Sequence, residues 1–302
     1  MSKIIQNRYE FIIVFDVKDG NPNGDPDTEN MPRIDPQTGE GIITDVCLKR
    51  KVRNYVQMVK ESKKPFDIYI KERAILNLLI EEAHQQERMD EVEGYDKVHR
   101  AREWMCANYW DIRTFGALMT SGKNAGQVRG PVQMTFARSV EPVLVLSNCI
   151  TRQAVATELE SEKQKGENHT MGRKHIIPYG LFVGYGYISA NLAAQSGFTE
   201  EDLELLWQSV TNMFEDDRSS LKGRTSLRKF VIFKHQSKLG NAPSGLLFDL
   251  VSIEKKNPAM PGRDFKDFIV TIDRDSVPRG VELIEKLWWG RITPNYTRIE
   301  IT

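Results

Sequence analysis

"RYEFIIVFDVKDGNPNGDPDTEN", residues 8–30, is the stretch on which the fold turns. Its first ten residues are rich in Phe, Ile and Val, an apolar and β-branched run that reads as a buried strand. The twelve that follow, 19–30, hold two Gly, two Pro, three Asn and four carboxylates. Gly and Asn admit turn conformations and Pro withholds a backbone donor, so this mixture ends helix and sheet alike. A strand therefore empties into a long built loop. Its residues suit a metal loop, a phosphate cradle, an RNA clamp or an elaborate turn.

Downstream, "TDVCLKRKVRNYVQMVK" (44–60) opens on Thr44 or Asp45 as a helix cap and carries Leu48, Val52, Tyr55, Val56 and Val59 on one apolar stripe. Lys49, Arg53 and Lys60 fall on a neighbouring face, with Arg50 and Lys51 beside them. A second helix, "TEEDLELLWQSVTNMF" (199–214), pairs Thr199 with Asp202 as a capping box and buries Leu203, Leu206, Trp207, Val210 and Met213. Strands are expected at 9–17, at 131–139 with 142–149, at 176–190 and at 227–235. The order is βαββαβ, which predicts an α+β fold: a modified ferredoxin-like or RRM-like palm with insertions.

The domain division follows from that order. Residues 1–59, 131–151 and 176–302 form the palm with C-terminal additions, the latter running from "LGNAPSGLLFDL" to "EKLWWGRITPNY" on the same core. Residues 60–130, with the amphipathic "ERAILNLLIEEAHQQ" and the aromatic "EWMCANYWDIRTFG", form an inserted helical subdomain. Residues 152–175, strand-like at first, then polar and finally basic, form a protruding thumb-like arm.

Composition narrows the function. The 302 residues are 40% hydrophobic, enough for a full core, and contain no 18-residue apolar stretch. "MSKIIQNRYE" lacks the features of a signal peptide, so a cytosolic protein with no membrane partner is expected. Cys47, Cys106 and Cys149 are far apart and odd in number, which predicts buried free thiols rather than disulfides or a zinc site. The 42 basic and 42 acidic residues cancel but are segregated. Residues 14–45 hold Asp16, Asp19, Asp25, Asp27, Glu29, Asp35, Glu40 and Asp45 against Lys18 and Arg33. Residues 112–140 carry Arg113, Lys123, Arg129 and Arg138, and 218–240 carry Arg218, Lys222, Arg224, Arg228, Lys229, Lys234 and Lys238. Such blocks suit a chain that grips a polyanion and meets its own copies head to tail; separate solvated faces would give the same pattern.

Catalytic signatures fail. "GALMTSGKN" (116–124) has five residues between its glycines and Asn124 where a phosphate loop needs Ser or Thr. The histidines lack metal-site spacing and no GxSxG is present. "VGYGYISA" (183–190) partly matches an RNA-stacking segment, with Tyr185 and Tyr187 on one face; core packing is the favoured account of them.

"NRYEFIIVFDVKDGNPNGDPDTENMPRIDPQTGEGIITDVCLKRKVRNYV", with "WDIRTFG", "GQVRGPVQ", "TMGRKHIIPYG" and "YGYISA", resembles the type I-C CRISPR backbone subunit, the Csd branch of the Cas-seven proteins in the RAMP superfamily. The likeness is most specific over the first 55 residues. It implies a non-catalytic, cofactor-free subunit with finger and thumb insertions that polymerises along CRISPR RNA in a Cascade surveillance complex. Its implied partners are the guide, target DNA paired to it, further copies, and the Cas-five-type, large and small subunits. The RNA contacts expected are main-chain groups of Asn21, Asn23 and Gly24, the cations Lys49, Arg50 and Arg53, and Arg113, Lys123 and Arg129. Met171, Arg173, Lys174 and His175 complete the set, with Met171 as an apolar wedge beside cations. The rival reading is a metal-dependent ribonuclease using Asp25, Asp27 or Asp35 of the first loop.

Overall fold

The computed structural model describes residues 2–87 and 89–286. Strand β1 (Tyr9–Gly20) lies at the centre because both its faces are apolar. Tyr9, Phe11, Ile13, Phe15 and Val17 enter one core, while Ile12 and Val14 enter another on the opposite face. The loop beyond it closes through a bridge between β2 (Gly24–Asp25) and β3 (Met31–Pro32), and β4 (Glu40–Ile43) then leads into α1 (Asp45–Val59).

The stretch after α1 contains α2 (Leu76–His84), α3 (Gly94–Asn108), α4 (Trp110–Phe115) and the hairpin β5 (Gly116–Met119) with β6 (Gly126–Arg129). The phosphate-loop look-alike is this hairpin and its turn. Chain order continues with β7 (Val132–Met134), β8 (Ala137–Pro142), β9 (Leu146–Arg152), the short α5 (Glu158–Lys163) and the long β10 (Thr170–Ile188). It ends with α6 (Ala190–Ser196), α7 (Glu200–Asn212), β11 (Arg224–His235), α8 (Ser244–Phe248), β12 (Val251–Lys255), β13 (Phe268–Ile272) and β14 (Val281–Glu285).

The main sheet runs β14-β11-β1-β10-β8-β4 and its pairings are antiparallel. Helices α1 and α7 cover one face. Leu48, Val52 and Val56 of α1 and Leu203, Leu206, Trp207 and Val210 of α7 are buried, whereas Val59, at the end of the expected stripe, is exposed. Trp207 packs edge-on to Phe11 and Phe230, with centroids 5.5 and 5.4 Å away. Thr199 and Asp202 form the capping box read from the sequence.

The C-terminal additions pack on the other face, not on the helical core. Leu247 and Phe268 there cover Ile12, Val14, Leu181, Val231 and Phe233. Residues 287–302 of the expected palm and C-terminal additions lie outside the described residues. Tyr185 and Tyr187 lean on Phe248, at 4.7 and 5.6 Å, so core packing accounts for them. Gly186 between them faces Phe11, and a Cβ there would sit 2.0 Å from the Phe11 ring. The glycine seats a core aromatic, which is why the sequence looked like half of an RNA-stacking motif.

The inserted stretch has its own core of Tyr69, Ile80, Met105, Tyr109, Ile112, Met119 and Val128. Two buried ion pairs bolt it to the palm: Arg53 of α1 to Asp111, at 2.8 Å, and Arg113 to Asp202 of α7, at 2.7 Å. The arm begins earlier than expected. Strand β9 pairs only with residues 170–176 of β10, all its residues are exposed, and α5 at the tip buries none. Residues 146–151, read as palm, therefore belong to the arm. Cys106 is buried, which pushes its thiol up to about 11, but Cys47 is only partly buried and Cys149 lies exposed on β9, so the expectation of three buried thiols is corrected.

Candidate nucleic-acid interface

The loop after β1 is ordered by its own side chains. The Asn21 amide N–H donates to the Leu221 carbonyl at 2.7 Å, its side chain donates to the Asn30 carbonyl at 2.6 Å, and the residue is buried. Asn23 Oδ1 accepts from the Thr44 N–H and hydroxyl, at 2.9 and 3.0 Å, while Thr44 Oγ1 caps α1 through Cys47 N. Gly24 is required by Asn30, whose Oδ1 would lie 2.0 Å from an added Cβ. The expected main-chain donor role is thus corrected for Asn21, whose N–H is already spent, and Asn23 and Gly24 have loop-closing work of their own.

Two acids of this stretch, Asp25 and Asp35, find partners in the same chain. Asp25 accepts from Arg33 at 3.1 Å and from the Asp27 N–H at 3.2 Å. Asp35 accepts from Arg138 at 2.8 Å, and that bond holds its carboxyl below the usual range. Among the described residues, no group of three or more His, Cys, Asp and Glu is placed to hold a metal ion.

The α1 cations divide. Lys49 pairs with Asp45 at 2.9 Å and sits over Phe115; Arg53, beside the same ring, is held by Asp111. Their side chains are only 13% and 12% exposed, so the expectation of an exposed basic flank is corrected for both. Arg50 is 63% exposed, with only the equally open Glu72 at 3.9 Å. Arg113 is also inside: its guanidinium grips Asp202 with two nitrogens and donates to the carbonyls of Pro65 and Cys106. Lys123 is exposed on the β5–β6 turn, 4.0 Å from Glu81, and Arg129 is exposed on β6.

On the arm, cross-strand register fixes which groups share a face. Met171, Arg173 and His175 lie opposite Thr151, Cys149 and Ser147. Met171 is 69% exposed and Arg173 is exposed beside it. Lys174 points to the other face and donates to Ser220 Oγ at 3.0 Å. His175 is buried with Nδ1 unpartnered, so its expected place in the contact set is corrected.

The family model for CRISPR-associated protein Cas7 matches residues 7–273. The chain belongs to the Cas7 family. A Cas7 protein of Haloferax volcanii is 28% identical over 234 residues, covering 68% of this chain and 65% of that protein, so this chain spans just under two thirds of that relative. Among solved structures, a chain of a CRISPR RNA-guided surveillance complex, pre-nicking, aligns with TM-score 0.48 and 12% identity over 75% of this chain and 78% of its own. A chain of a type III-B Cmr-beta complex bound to cognate target RNA aligns with TM-score 0.41 and 13% identity over 75% and 61%.

This Cas7-family chain hides most of its charge segregation by folding. Arg228 of the basic block meets Asp16 at 2.8 Å, Lys229 meets Glu285 at 3.4 Å, and Lys222 meets Asp217, which also takes Lys51. Two of these acids come from elements distant in the chain, so counting along the sequence could not find them. Arg129 and Arg173 have no hydrogen-bond or ion-pair partner among the described residues.

Proposed function

We propose that this chain is a non-catalytic backbone subunit that polymerises along CRISPR RNA in a type I-C Cascade surveillance complex of the cytosol. It presents the guide for pairing with target DNA and contacts the Cas-five-type, large and small subunits. The palm is read as ferredoxin-like, because β1, β8, β10 and β11 lie in the order β11-β1-β10-β8. The subtype rests on the resemblance of the first 55 residues. No described helix is long and apolar enough to cross a membrane.

The observation that carries this reading is the arm. A two-stranded ribbon exposed along both edges leaves Met171 and Ile150 in water, an arrangement that calls for a covering partner. An apolar side chain beside Arg173 on the same face of the ribbon is the chemistry that unstacks bases while a cation holds the phosphates. Arg50 and Lys123 add exposed cations outside the arm. Of the three carboxylates a metal-dependent ribonuclease would use, Asp25 and Asp35 are engaged by Arg33 and Arg138, which supports the non-catalytic reading, while the Asp27 carboxylate has no ion-pair partner among the described residues.

Arg50→Ala is expected to leave the denaturation midpoint unchanged and to lower the slope of log K against log salt for RNA by about one. Arg53→Ala is expected to lower the midpoint instead, since it unpairs the buried Asp111. A filter-binding salt titration with urea melts separates the two. The function itself is tested by co-expression with a CRISPR array and sequencing of copurified RNA. Guide-length RNA bound to a multimer is the expected result. Protein that emerges free of RNA overturns the reading, and Mg²⁺-dependent cleavage of target RNA by the purified chain overturns its non-catalytic part.

A further inference from the structure

The ribbon of β9 and β10 is tied to the rest of the chain by very little. None of residues 146–173 is buried. Among the described residues, a single hydrogen bond and no ion pair joins 146–174 to other elements: Lys174 Nζ donates to Ser220 Oγ at 3.0 Å. The two segments that lead into the ribbon are weakly stiffened. Residues 143–145 belong to no strand, between Pro142 at the end of β8 and Leu146 at the start of β9. On the other side, β10 changes partner from β9 at Ile176 to β1 at Ile177. Pro178, without an N–H, and Gly180, without a side chain, follow that junction directly.

The acceptor of the bond is fixed. Ser220 stands on the turn of residues 214–223, which the first loop and α1 hold in place. The Leu221 carbonyl accepts from the Asn21 N–H at 2.7 Å, and Asp217 takes both Lys51 and Lys222. Gly20 lies so close that an added Cβ would sit 2.1 Å from the Lys222 carbonyl oxygen. A donor on a loosely held ribbon therefore meets a stationary post.

The two faces of the ribbon differ. Lys174 and its post are on one. On the other, Ser147 borders a cleft of about 560 Å³ between the arm base and the loop after β1, walled also by Asp25, Arg33, Thr44, Phe136 and Val145. Register puts Ser147, Arg173 and Met171 on that same face. A swing toward the cleft gives up one hydrogen bond and carries Arg173 and Met171 over the loop. The bond is also one that an anion displaces: Ser220 offers a neutral hydroxyl to an ammonium with three donors, whereas a phosphate offers charged acceptors. Resting on the backbone reading above, which supplies RNA as the anion, we propose that Lys174–Ser220 is a latch that holds the arm off the cleft in the free chain, and that RNA phosphate releases it by taking Lys174. Ser220 is then a positioning residue for the wedge face and acts without touching RNA.

The test is a distance measurement in the full chain with nitroxide labels at E162C on the arm tip and Q208C on the exposed side of α7, in a C149S background. Burial keeps the thiols of Cys47 and Cys106 protonated, so they label slowly. Double electron–electron resonance without RNA is expected to give one main distance in the parent. S220A and K174A are each expected to raise a second distance to about a fifth of molecules or more, S220T to restore the parent distribution, and K174A/S220A to add nothing to either single change. A single-stranded oligouridylate added to the parent is expected to bring up the same second distance. Thermal melts establish that each variant is folded. Unchanged distances in folded S220A and K174A overturn the latch. Loss of RNA by K174A with S220A unchanged makes Lys174 a plain phosphate contact and overturns it too. A parent distribution that stays the same with oligouridylate bound overturns release by phosphate. Parent protein that binds no RNA sinks the backbone reading instead, and the RNA-free distances still decide the latch.

Discussion

Arg113→Ala is expected to lower the unfolding free energy by about 3–5 kcal/mol, because it strands a carboxylate that has no access to water. Asp202 is 2% exposed and is gripped by two guanidinium nitrogens, at 2.7 and 3.0 Å. Its other oxygen also accepts from the Thr199 N–H and hydroxyl, both at 2.9 Å, so the same carboxylate starts α7. Arg113 further donates to Pro65 and Cys106, which ties the exit from α1, helix α3 and helix α7 to one group. Arg113→Lys is expected to recover little, since an ammonium cannot reproduce the two-nitrogen grip or reach those carbonyls together. Urea melts with RNA-retention assays on the surviving folded fraction decide the matter. A variant that keeps its midpoint but loses RNA would return Arg113 to the guide interface.

The sequence was legible where local chemistry decides. An apolar strand, a capping-box helix and the order βαββαβ follow from periodicity and from side chains within one turn of each other. It was illegible where the partner is remote. Arg53 and Arg113 read as exposed cations because Asp111 and Asp202 are 58 and 89 residues away. The basic block on β11 read as a polyanion surface because Asp16 and Glu285 reach it only through the sheet. The arm stands between these cases. Its polarity announced a protrusion, but only cross-strand register shows that Met171 and Arg173 share a face that Lys174 does not.

Deleting residues 157–168 is expected to leave a folded monomer and to abolish ordered multimers on RNA. No residue of α5 is buried, and its cap, Thr157 to the Glu160 N–H, is internal to the deleted piece. The ribbon can close again, since Arg152 and Thr170 remain paired and Gln153 to Ala156 with His169 suffice for a hairpin loop. The melting temperature should therefore stay near that of the parent. The loss falls on assembly, because the proposed backbone role assigns the arm to the guide, and without tiled copies the protected nucleotides lose their register. Met171→Ala separates wedge from tip: it keeps α5 and should still assemble, but should remove the periodic reactivity of displaced bases to single-strand probes. Full-length multimers with periodic base displacement formed by the deletion variant would show that the ribbon of β9 and β10 does not organise the guide. Collapse of the monomer's melt would show instead that α5 has a packing role at odds with its lack of buried residues.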